Sequence, residues 1–134
     1  MRNCSLSASI PNSHQDLLDR PLFGHLATIR PDGAPQANPM WFAWDGEFLL
    51  FTNTTRRKKY RNVTAHPEVA MSVHDPDQPY RYLEVRGVVE RIEPDPGGEF
   101  FLELARRYGY EGDPPDDFPY RVKYFVRPTA TSRQ

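Results

Sequence analysis

Three features predict a mainly β protein: a small antiparallel β-barrel of six strands with short helices at its ends. Six separate stretches either alternate apolar and polar residues or form short apolar runs bounded by turn residues. Most joints between them are short and rich in Gly, Pro and Asp, which suits hairpins rather than the long crossovers of a parallel sheet. Helical spacing is confined to three short segments, so helices can only decorate a sheet.

Residues 1–10 carry no periodic pattern and are expected to form a flexible arm, with the folded domain at 11–128 and a short tail at 129–134. A short helix is expected over 11–18, capped by Asn12 or Ser13 and closed by Pro21. LFGHLATIR (22–30) has apolar residues on both alternating sets and reads as a buried strand. Arg30-Pro31-Asp32-Gly33 is a turn in which Pro31 presets its dihedral and Gly33 accepts a positive one. The second strand, 35–44, contains Pro35 and Pro39. Each removes a ladder donor, so this strand belongs at an edge or carries a bulge. Asp45-Gly46 predicts a hairpin into a third strand at 47–52.

A fourth strand is expected over 69–74, a polar loop over 75–79, and a long fifth strand over 80–92 with a bulge or bend at Gly87. Phe101, Leu104, Ala105 and Tyr108 recur at helical spacing and predict an amphipathic helix over 98–107. The acidic, Pro-rich stretch 109–118 reads as a loop or lid. Tyr120, Val122, Tyr124 and Val126 alternate with cations and form a sixth, half-buried strand.

At 134 residues the chain is long enough for one core and short for two. Only 38% of it is hydrophobic and its mean hydropathy is -0.72, low for a self-sufficient monomer. Burial against a second copy is one remedy. A net charge of -1 argues against a general nucleic-acid or membrane-surface binder. Cys4 is the single cysteine, which rules out a disulfide framework and a Cys-based metal cage. The four histidines lack metal-ligand spacing, and no metal site is expected. No apolar run reaches membrane-spanning length, and a cytoplasmic protein is expected. There is no GxSxG, P-loop or GxGxxG motif.

The most unusual stretch is FTNTTRRKKYRNVTAHP, 51–67: a strand end, a polar turn, then a helix of about three turns capped by Thr54 or Thr55 and stopped by His66-Pro67. Arg56, Arg57, Lys58 and Lys59 crowd cations onto the helix end that already carries positive partial charge. A phosphate received there would resolve the conflict. A solvated basic helix face is the competing reading.

The runs LATIRPDGAPQANPMWFAW, FTNTTRRKKYRN, HPEVAMSV and YRYLEVRGVVE, in this order and spacing, resemble the flavin/deazaflavin oxidoreductases of the pyridoxamine 5'-phosphate oxidase-like superfamily. More narrowly, they are similar to its F420-dependent B branch. The resemblance spans nearly the whole domain and implies an FMN-binding-like split β-barrel. It also implies a homodimer with cofactor sites along the subunit interface. By the same resemblance, Arg57, Lys59 and Asn62 hold a cofactor phosphate, Thr52 adds a hydroxyl bond, and Arg56, Lys58 and Arg61 reach the coenzyme's acidic tail or solvent. Gln36, Asn38, Met40 and Trp41 bed the cofactor ring, and Tyr80 and Tyr82 act from the partner subunit. For Trp41, Tyr80 and Tyr82, ordinary barrel packing is the competing reading.

The implied activity is hydride transfer from reduced F420 to a small organic acceptor, with the ring supplying the redox chemistry. FMN is the alternative cofactor, since it presents the same ribityl phosphate. Cations in excess of one phosphate favour F420, whose lactyl-oligoglutamate tail could use them. A non-enzymatic flavin or deazaflavin carrier also fits the motif. Pyridoxamine phosphate oxidation itself is not expected, because the sequence shows no second basic cluster for a substrate phosphate.

Overall fold

The structure, a computed structural model, describes residues 7–134. Cys4 and the first six residues of the expected arm lie outside the described residues. The rest of that arm is tied down: the Ala8 amide donates to the Pro128 carbonyl at 2.9 Å, and Ile10 packs against the core.

Among the described residues there are seven strands rather than six. They are β1 (Gly24–Ile29), β2 (Pro35–Met40), β3 (Ala43–Trp44), β4 (Leu49–Thr54), β5 (Glu68–Asp75), β6 (Gln78–Pro94) and β7 (Arg121–Arg133). The extra strand arises because the stretch read as one strand over 35–44 breaks after Met40. Phe42 leaves the ladder there: its amide goes to the Tyr108 hydroxyl and its carbonyl to the Arg107 guanidinium.

All pairings are antiparallel, and the strands form one sheet in the order β2-β1-β5-β6-β7-β4-β3. The two edge strands are therefore neighbours in the chain, with only Trp41 and Phe42 between them. Three residue steps span at most about 11 Å, so the sheet must curl until its edges nearly meet. The result is a barrel split along one seam, and the proline-bearing β2 lies at an edge of the sheet.

Turn chemistry follows the residues. Gly33 has φ 91° and donates its amide to the Arg30 carbonyl at 2.8 Å, while the Asp32 carboxylate accepts the Ala34 amide. At the Asp45-Gly46 hairpin the Asp45 carboxylate accepts the amides of Glu47 and Phe48. The expected loop at 75–79 is instead a tight hairpin in which Asp75 pairs with Gln78, because the Asp75 carboxylate accepts the Asp77 amide at 2.9 Å. Gly87 sits at a register shift in the β6–β7 ladder, and a Cβ there would stand 2.5 Å from the Arg127 carbonyl oxygen. β7 continues through the stretch expected as a tail, with Leu83 pairing Arg133.

Three short α-helices, α1 (Asp16–Asp19), α2 (Lys58–Ala65) and α3 (Glu99–Arg107), and two 3-10 turns, Asn12–His14 and Phe118–Tyr120, complete the described chain. Leu26, Phe42, Phe51, Met71 and Tyr124 fill the barrel, and Leu17 and Leu18 of α1 join the same core. A second, smaller core lies where α3 packs Phe100 and Leu104 against Phe48, Leu50 and Phe125. Each such buried side chain contributes about 1.5–3 kcal/mol. α3 thereby brings Tyr108 and the strap that follows against the β2–β3 break.

Candidate functional site

The basic stretch is organised differently from its sequence reading. α2 has eight residues rather than three turns, and Arg57, not Thr54 or Thr55, stands at its N-cap without a side-chain cap. The Thr54 hydroxyl instead accepts the Arg56 amide, which turns the chain before the helix begins. Arg56 is thrown aside and lies over the Tyr120 ring, 3.5 Å from its centroid. Lys58 and Lys59 therefore occupy the first turn, with Arg57 beside them. Among the described residues no carboxylate lies within ion-pairing distance of any of these three.

Lys59 is the best placed of them. Its ammonium donates to Asn38 Oδ1 at 3.3 Å, and that oxygen also accepts from Gln36 Nε2 at 3.1 Å. Gln36 Oε1 accepts from Asn62 Nδ2 at 3.2 Å, and the same nitrogen donates to Thr28 Oγ1 at 2.9 Å. The chain Lys59–Asn38–Gln36–Asn62–Thr28 ties α2 to β1 and β2. Asn62 is buried and its amide nitrogen is spent on this network, so it orients Gln36 while Lys59 keeps donors free. Burial, and secondarily the Arg57 charge, hold the Lys59 ammonium below the usual lysine pKa.

Gln36, Asn38 and Met40 share the half-buried face of β2, while Pro35, Ala37 and Pro39 face outward. From Gln36 to Met40 the strand covers about 13 Å. This rail runs from the cationic end of α2 to a cleft of about 300 Å³ lined by Phe23, Pro39, Met40, Trp41 and Thr52. Trp41 is stacked on Tyr108 and met edge-on by Tyr110. The Thr52 hydroxyl accepts from Arg121 at 3.3 Å, and Arg121 also pairs through two nitrogens with Asp117 and lies 4.7 Å over the Phe101 ring.

The structure thus brings together Gln36, Asn38, Trp41, Thr52, Arg57, Lys59 and Asn62 along one rail. Lys58 is exposed at the same helix end. Tyr80 and Tyr82 are not part of this grouping within one chain. Tyr80 is 85% exposed near the β5–β6 turn, and the Tyr82 backbone pairs with Gln134. Sequence reading missed Phe23, Arg107 and Arg121. Arg121 follows an acidic loop, and its i,i+4 spacing to Asp117 was the available signal.

The pyridoxamine 5'-phosphate oxidase family matches residues 10–125. The chain belongs to that family. It is 63% identical to a solved F420 reductase, covering 93% of this chain and 100% of that one with a TM-score of 0.89. A conserved hypothetical protein of Mycobacterium tuberculosis, 23% identical, shares the fold with a TM-score of 0.73 over 99% of this chain and 89% of that one. A pyridoxine/pyridoxamine 5'-phosphate oxidase of Azorhizobium caulinodans is 37% identical over 83 residues, 60% of this chain. The match spans 38% of that curated relative's length. Membership agrees with the split-barrel fold described above. No helix among the described residues is long and apolar enough to cross a membrane.

Proposed function

We propose that this protein is a cytoplasmic reductase that uses reduced deazaflavin F420 to deliver hydride to a small organic acceptor. The observation that carries the reading is the cationic end of α2. Arg57 and Lys59 have no carboxylate partner among the described residues, Lys59 is held below its ordinary pKa, and both stand at the head of a rail leading to Trp41. Such a group is unfavourable when empty and is satisfied by a phosphate. Arg57 and Lys59 hold that phosphate. Asn62 works through Gln36, and Gln36, Asn38 and Met40 line the path to a ring resting at Trp41. Thr52, already held by Arg121, offers a hydroxyl at the far wall.

The bound coenzyme supplies the hydride; the protein's share is to position it and exclude water. The likeness to an F420 reductase over nearly the whole chain favours F420 over FMN. Lys58 and Arg61 remain exposed for an acidic tail, whereas Arg56 is committed to Tyr120.

The functional unit in this reading is a homodimer. The outward face of β1, β5 and β6 carries an apolar hollow of about 380 Å³, walled by Ala27, Ile29, Pro35, Ala70 and Val88, which a second copy would cover. Tyr80 and Tyr82 then act on the partner's coenzyme. Light scattering that gives a monomer at micromolar concentration would remove this part of the reading.

The decisive experiment titrates the protein with F420 and with FMN, then follows reoxidation of the reduced, bound coenzyme by stopped flow. Quinones, tetrapyrroles and nitroaromatics serve as acceptors. F420 binding with acceptor-accelerated reoxidation is expected. Tight FMN binding without F420 binding would replace the coenzyme. F420 binding that no acceptor accelerates would leave a carrier.

A further inference from the structure

Tyr108 stands at the C-terminal end of α3, outside the lining of the cleft, yet it touches both of the cleft's aromatic walls. Its ring stacks on Trp41, with centroids 5.3 Å apart and planes 12° from parallel. The same ring leans on Phe23 at 5.8 Å and 32°. Its hydroxyl accepts the Phe42 amide at 3.0 Å and donates to the Leu22 carbonyl at 2.7 Å, with the Phe42 carbonyl also in reach at 3.1 Å. Phe42 and Leu22 are the chain neighbours of Trp41 and Phe23.

Neither wall has a ladder to fix it. Phe23 precedes β1, and Trp41 lies in the break between β2 and β3. The adjoining Arg107 reinforces the arrangement by donating to the carbonyls of Phe42, Leu18, Asp19 and Arg20. Phe23 is 58% exposed, a large apolar ring left in water at the mouth of a cleft. Rings pack on rings at centroid separations of about 4.5–7 Å, so two rings fixed by one side chain decide where a flat guest can pack in the cleft.

We propose that Tyr108 is the positioning residue that fixes Phe23 and Trp41 as the aromatic walls of the cleft, and that a flat aromatic ring system entering the cleft packs against them. The tricycle of the coenzyme and a flat acceptor share that chemistry. The inference rests on the proposed function only in naming these two sources.

The test compares Tyr108→Phe, which keeps the ring and loses both hydroxyl bonds, with Tyr108→Leu, which loses the stack. A flat uncharged naphthoquinone is titrated by tryptophan quenching without coenzyme, F420 and FMN are titrated separately, and inorganic phosphate measures the α2 end. Tyr108→Leu should weaken flat-ring binding about tenfold or more and Tyr108→Phe severalfold, with phosphate binding unchanged. In turnover, the KM ratio of flat to compact acceptors should rise in the same order. A loss confined to the quinone identifies the acceptor as the guest, and one confined to the coenzyme identifies the tricycle. If the parent protein binds neither coenzyme but its quinone binding follows Tyr108, the functional reading fails and this one stands. Should Tyr108→Leu not fold, Tyr108→Phe decides: unchanged flat-ring affinity in that variant overturns the proposal.

Discussion

Two groups of cations flank the same cleft and are treated in opposite ways. On the α3 and β7 side, Arg107 donates to four backbone carbonyls, while Arg121 is paired twice with Asp117 and stacked on Phe101. On the α2 side, Arg57, Lys58 and Lys59 have no carboxylate partner among the described residues. A guanidinium whose donors are consumed inside the fold serves the fold. A cation held in place without a counter-charge is available to a guest. The division cuts through the RRKK run itself, since Arg56 is committed to Tyr120 and its neighbours are not.

The sharpest way to break this contrast is to neutralise each side in turn. Replacing Arg57 with Gln and Lys59 with Met removes two charge-assisted contacts of about 1.5–3 kcal/mol each, so coenzyme affinity should fall at least about 100-fold by equilibrium titration. The unfolding midpoint should change little, because relief of like-charge repulsion offsets the lost Lys59–Asn38 hydrogen bond. Retained affinity would mean the phosphate sits elsewhere.

Arg107→Met should do the reverse. Loss of its bonds to exposed and half-buried carbonyls is expected to cost about 2–4 kcal/mol in urea unfolding. An equally stable variant would erase the distinction between the two sides. Asp117→Asn is a milder version, costing about 1–3 kcal/mol and slackening Thr52 through Arg121.

pH sharpens the comparison further. The folded protein holds the Lys59 proton less tightly than the unfolded chain does, chiefly through burial and then through Arg57. Stability therefore rises as pH climbs from the folded value toward the ordinary 10.5, and this gain should vanish in Lys59→Met. Coenzyme binding runs the other way and weakens over the same alkaline window, since the guest requires the charged ammonium. Titration at several pH values should show the loss, and a flat alkaline limb would exclude Lys59 from the contact.

The smallest effect is expected inside the barrel. Tyr124 is fully buried and its hydroxyl makes no well-formed hydrogen bond among the described residues, so Tyr124→Phe should change stability by less than about 1 kcal/mol.

The barrel was legible in the residues because its signals are local. Alternation marked the strands, Pro35 and Pro39 marked an edge, and Asp45-Gly46 and Gly87 marked a hairpin and a bulge. The basic helix end was legible for the same reason: four adjacent cations contradict the helix dipole without reference to any distant residue. Where local signals competed with distant partners, they failed. Thr54 or Thr55 was expected to cap α2, but the Thr54 hydroxyl accepts the Arg56 amide and turns the chain ahead of the helix, and the strand over 35–44 breaks because Tyr108 and Arg107, remote in sequence, take the backbone groups of Phe42.

Which cations are free could not be read from the chain, because an Arg is spent or unspent according to what stands across from it. Only the folding of α3 against β4 and β7 set Arg121 against Thr52 and Phe101, placed Tyr108 against both Phe23 and Trp41, and left Arg57 and Lys59 facing no acid among the described residues. Residue type supplied the charges and rings; long-range packing decided which of them were consumed within the fold and which were left for a ligand.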